Sequence, residues 1–178
     1  MIVCLAWGSL IWDPKDLAIE SEWFPDGPGV PVEFARQSED GRLTLVMGAG
    51  FQVFPSLWSR MASQSAEDAI ENLRARERTN RNHIGVWESD MPAPKQIPEL
   101  TTWADARGVK HVIWTALPPK FGGKINKVPT LDEAVQYLSD LEPSQRTKAK
   151  EYVQKAPKQV MTPYRVEFER SLAWQPIS

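Results

Sequence analysis

Cysteine is almost missing from this chain. Cys4 is the only one in 178 residues, so an internal disulfide is impossible and a structural zinc site built on cysteines is excluded. It lies in an apolar stretch, where a thiol behaves as a small hydrophobe. Histidine is nearly as scarce. His83 and His111 fall on separate predicted strands with no HExxH or comparable ligand spacing, so a bound metal is not expected. No apolar run reaches the ~18 residues that a membrane span needs. The apolar N-terminus lacks a positive leader and is interrupted by Asp13-Pro14 without a small-residue cleavage site, which does not fit a signal peptide. The expected location is cytoplasmic. Excess positive charge is absent too: 21 Lys and Arg stand against 23 Asp and Glu, for a net charge of -2. With no basic run, that argues against a nucleic-acid or anionic-membrane partner. There is no dinucleotide fingerprint, and Gly123-Lys124 lacks the spacing of a phosphate loop. Ser9 lacks the flanks of a nucleophile elbow, and neither histidine can be tied to it.

What is present suits one globular domain, residues 1–178, with a sizeable core: 42% of residues are hydrophobic and 25% charged. Fifteen prolines and ten glycines spread along the chain predict many short elements joined by turns. Ile2 to Trp7 is a short apolar run that predicts a buried strand. Asp13-Pro14 predicts a short helical turn. A β-hairpin is expected over 32–47, closed at Asp40-Gly41, and a further short strand over 51–57. Strands are predicted over 83–87, 111–117 and 164–174, the last from the alternation of Val166 and Phe168. Lys120 to Pro129 predicts a flexible basic surface segment or lid. Thr130 caps a predicted helix running to Leu141, and a polar helix follows over 144–156. The sum is six or seven strands with two or three helices. Hairpin-like strand order favours an α+β domain on a mainly antiparallel, barrel-like sheet.

Two features carry chemistry. The first strand runs straight into Gly8 and Ser9. Glycine takes positive φ without strain and lets other groups approach the backbone. The bend is either a tight turn or a rim of unengaged N–H groups that holds an anion or oxyanion. The second feature is Glu77. Ser65 to Arg78 predicts a helix whose apolar stripe is Ala66, Ala69, Ile70 and Leu73. The next residue in line is Glu77. A carboxyl facing an apolar pocket is raised in pKa toward the range useful for proton transfer. The other reading pairs it at the surface with Arg74 or Arg81, worth ~0.2–0.5 kcal/mol. Eight tryptophans suit core and rim packing, although Trp7 and Trp12 bracket the Gly-Ser bend and could wall a pocket.

These stretches bear a family likeness. Ala6-Trp7-Gly8-Ser9-Leu10 resembles the Tyr-Gly-Ser-Leu/Asn signature of the gamma-glutamylcyclotransferase-like family, and Leu73-Arg74-Ala75-Arg76-Glu77 lies where that family carries Leu-x-x-x-Glu. Residues 34–45 and 112–117 also resemble bacterial members, so the likeness covers residues 1 to about 120. It implies a small mixed β-barrel with flanking helices, and an enzyme that needs no metal or cofactor. In the implied reaction, the α-amino group of a small γ-glutamyl compound attacks its own γ-carbonyl. The products are 5-oxoproline and an amine or amino acid. Glu77 is the implied acid/base, and the backbone of Ala6, Trp7, Gly8, Ser9 and Leu10 the implied substrate-binding turn. Trp7 stands where the family has Tyr, and Arg78 where Gly is common. The rival expectation is a non-catalytic small-molecule-binding or interaction module that keeps the fold. Oligomeric state is not specified by these features.

Overall fold

The structure, a computed structural model, describes residues 1–20 and 22–177. In chain order its strands are β1 (Ile2–Ala6), β2 (Gly29–Gln37), β3 (Leu43–Met47), β4 (Val53–Pro55), β5 (Leu57–Arg60), β6 (Ile84–Glu88), β7 (His111–Thr115), β8 (Lys120–Phe121) and β9 (Lys124–Ile125). The helices are α1 (Ala66–Glu77), α2 (Leu100–Asp105), α3 (Leu131–Ser139), α4 (Pro143–Lys155) and α5 (Pro163–Leu172). This is a mixed α+β chain. Its strands make two mixed sheets, and among the described residues neither closes into a barrel, which corrects the barrel expected from the sequence. The chain divides into two compact units, Met1–Val30 with Pro55–Leu117 and Pro31–Phe54 with Pro118–Ser178. Among the described residues no helix is long and apolar enough to cross a membrane.

The first unit is built on the sheet β5-β1-β7-β6. β1 lies inside it, antiparallel to β5 and parallel to β7. A central strand is covered on both faces, which is why Val3, Cys4, Leu5 and Ala6 form an unbroken apolar run. α1 packs its stripe on this sheet: Ala69, Ile70 and Leu73 join Cys4, Ala6, Leu10 and Ile113 in one apolar cluster. Gly85 is required by close approach, since a Cβ there would lie 2.0 Å from the indole of Trp114, its partner across β6 and β7. Several tryptophans pack and anchor loops. Trp58 Nε1 donates to Asp26 Oδ1 and Trp103 Nε1 to Asp26 O, both at 2.8 Å. The predicted helical turn at Asp13-Pro14 is reduced to one bond, Leu17 N–H to Pro14 O at 3.1 Å.

In the second unit β2 and β3 form the expected hairpin, bulged between Phe34 and Arg36, with Gly41 at φ 88° in its turn. β8 runs parallel to β2 and antiparallel to β9, so the segment expected to be a flexible surface segment or lid contains a small hairpin whose second strand is exposed. α3 starts with the full capping box of Thr130 and Glu133. The strand predicted over 164–174 is a helix. Thr162 caps it by accepting from Arg165 N–H, and Pro163 occupies its first turn. Its buried residues Arg165 and Phe168 are three apart, whereas Val166 is exposed, so the alternation of Val166 with Phe168 does not describe a sheet face.

Candidate active site

The first unit brings the two sequence features together. After β1, Trp7 is buried and the chain turns: Ile11 N–H donates to Gly8 O at 3.1 Å and Asp13 N–H to Ser9 O at 2.8 Å. Gly8 is not among the residues with positive φ, so the bend needs no left-handed backbone there. Leu10 turns inward to the cluster containing Ile70 and Leu73, which ties the bend to α1. The amides of Gly8, Ser9 and Leu10 donate to no acceptor among the described residues. Such unengaged N–H groups at a strand end suit an oxyanion or carboxylate.

Glu77 is the last residue of α1. Arg78 closes the helix at φ 50°, ψ 46° in the left-handed region, the position where glycine is usual. Ending the helix there leaves Glu77 on the turn that follows Leu73, and its side chain is only 14% exposed. Arg76, the next residue back, holds it. Arg74 bonds to Glu71 and Arg81 to Glu67, while Arg76 Nη1 donates to Glu77 Oε1 at 2.9 Å. Arg76 Nη2 donates to Asp13 O, so one guanidinium touches both the carboxylate and the chain leaving the bend. The Cys4 thiol below is held above its ordinary range, first by burial and then by the negative charge of Glu77, with Arg76 opposing. Both charges therefore act on the β1 thiol. Sequence reasoning missed Arg76, because neighbours one apart on a helix do not normally face each other.

A second nearly buried carboxylate, unforeseen in the sequence, lies in the second unit. Glu33 on β2 is 4% exposed. Its Oε1 accepts from Phe34 N–H at 2.8 Å and from Thr162 Oγ1 at 2.5 Å, and its Oε2 from Tyr164 N–H at 3.3 Å. Burial outweighs these donors and pushes its carboxyl up to about 7. The three tyrosine hydroxyls also serve this unit: Tyr137 donates to Gly41 O, Tyr164 to Pro129 O, and Tyr152 accepts from Leu45 N–H. Of the histidines, His83 Nδ1 bonds to Thr79 Oγ1, and His111 Nδ1 lies 3.9 Å from Glu88. Neither is bonded to Ser9. Among the described residues no three His, Cys, Asp or Glu side chains gather as a metal site.

Compared with family models, curated proteins and solved structures, the chain has no match in any of the three.

Proposed function

We propose that this protein is a gamma-glutamylcyclotransferase-like enzyme that converts a γ-glutamyl amine or peptide into 5-oxoproline and a released amine or amino acid. The observation that carries the reading is the nearly buried Glu77 carboxylate on α1, joined through Arg76 to the turn whose Gly8, Ser9 and Leu10 amides are unengaged among the described residues. The mixed strands and flanking helices agree with the family in kind, although the closed barrel does not.

In this mechanism Glu77 takes a proton from the substrate's α-ammonium group. The freed amine attacks the γ-carbonyl carbon, and a carbon–nitrogen bond closes the five-membered ring. Negative charge develops on the carbonyl oxygen, where backbone N–H donors of the turn stabilise it. The γ-amide bond then breaks as Glu77 returns its proton to the leaving nitrogen, and the extra proton left on the ring nitrogen passes to the released amine, which departs as an ammonium. Attack is intramolecular, so holding a folded substrate conformer supplies much of the acceleration. In this reading the backbone of Ala6 and Trp7 leads into the turn that holds the γ-glutamyl group. No nucleic acid or membrane takes part.

The test is release of 5-oxoproline from a panel of γ-glutamyl amines and dipeptides. Glu77→Gln is expected to lower turnover by ~10²–10⁴-fold, the usual worth of a positioned acid/base. Unchanged turnover rejects the mechanism. A second reading, a binding module without catalysis, is favoured by one observation: Arg76 already lies against Glu77, and a neighbouring cation disfavours proton uptake. It predicts that γ-glutamyl compounds raise the melting temperature while no 5-oxoproline forms.

A further inference from the structure

Four arginines cluster at the end of α1 and just beyond it. Arg74 and Arg81 are engaged with Glu71 and Glu67, and Arg78 is exposed at the helix cap. On the 3₁₀ turn that follows, His83 is engaged with Thr79. Arg76 differs from all of these. Its side chain is 8% exposed, Nη1 holds Glu77 Oε1 at 2.9 Å, and Nη2 holds Asp13 O. Its Nε is buried with no hydrogen-bond partner among the described residues.

We propose that Arg76 is the positioning residue of this site, fixing the Glu77 carboxylate with one amino group and the Gly8–Asp13 turn with the other. The inference rests on the reading of Glu77 as the acid/base. A guanidinium is planar and its donors are set in a rigid fork, so the distance between the two groups it holds is fixed as well. The restraint passes further along the turn, because Asp13 N–H is bonded to Ser9 O. Lysine carries the same charge as a single point and cannot span both partners. The Cys4 thiol on β1 also feels both charges, and the Asp13 carboxylate, on the residue whose carbonyl Arg76 holds, faces Lys15.

Three measurements on Arg76→Met and Arg76→Lys test the clamp. They are the titration of a ¹³C-labelled Glu77 carboxyl, hydrogen exchange at the Asp13 amide, and the pH profile of kcat/KM for 5-oxoproline release. In Arg76→Met the Glu77 midpoint is expected to rise by about one unit or more, since an opposite charge has been removed. The acid limb of the profile moves with it, Asp13 exchanges faster, and kcat/KM falls by roughly 10²-fold. Arg76→Lys restores the midpoint but not the slow exchange. A methionine variant with wild-type midpoint, exchange and profile overturns the proposal. If that variant does not fold, unchanged Asp13 exchange in Arg76→Lys overturns it, and faster exchange with an unmoved Glu77 midpoint supports it. If the wild-type chain releases no 5-oxoproline, the enzyme reading fails, and the titration and exchange alone decide the clamp.

Discussion

Glu33 makes the second unit more stable in acid than at neutral pH. Its carboxyl is nearly buried between β2 and the start of α5, and its folded-state value lies near 7 against an ordinary 4.5. Between those values the folded chain keeps a proton that the unfolded chain has lost. Stability therefore falls as pH rises from about 4.5 to about 7 and levels off above. A shift from 4.5 to about 7, at 1.36 kcal/mol per unit, amounts to about 3 kcal/mol. For a chain of 178 residues this corresponds to roughly 6–12 °C in melting temperature. The three donors to Glu33 favour its charged form, so the loss is already reduced by them. Glu33→Gln keeps the shape and cannot ionise. Urea unfolding followed by helical circular dichroism at pH 5, 6, 7 and 8, for both proteins, isolates the Glu33 contribution. The wild-type minus Glu33→Gln difference should change by about 2–3 kcal/mol across that range, the rest of the loss falling below pH 5. A difference that stays constant with pH refutes the reasoning.

Two further perturbations probe the frame of the site. Gly85→Ala drives a methyl group into the Trp114 indole and should cost about 1–3 kcal/mol in chemical denaturation, because a buried ring cannot shift without repacking its neighbours. Arg78→Gly removes a side chain from a left-handed cap that is exposed to solvent and should stabilise the chain by up to about 1 kcal/mol, read as a higher melting temperature.

Where local chemistry decides, the structure was legible in the sequence. Ser65 and Thr130 announce α1 and α3 because a capping side chain acts within one turn. Asp40-Gly41 announces the β2–β3 hairpin for the same reason. α5 was misread because Val166 and Phe168 imitate a strand, although Thr162-Pro163 is the start signal of a helix. Sheet architecture was not legible: β1 beside β7 and β2 beside β8 are long-range pairings, and no short pattern encodes them. For the site, helical periodicity was enough to put Glu77 in line with the core. It could not reveal which arginine meets it, since Arg76 is the neighbouring residue along the helix and adjacent positions do not normally face each other.

The parallel pairing of β1 with β7 joins Ile2 to His111 and Leu5 to Trp114. During synthesis the opening strand therefore waits while about a hundred more residues are added, roughly 5–20 s at ribosomal speed. β5 reaches it earlier and shields one edge, while the other edge stays open to any passing strand. A nascent chain of this protein is thus most exposed to aggregation before β7 emerges, and a holdase that recognises extended apolar segments would find its target in β1.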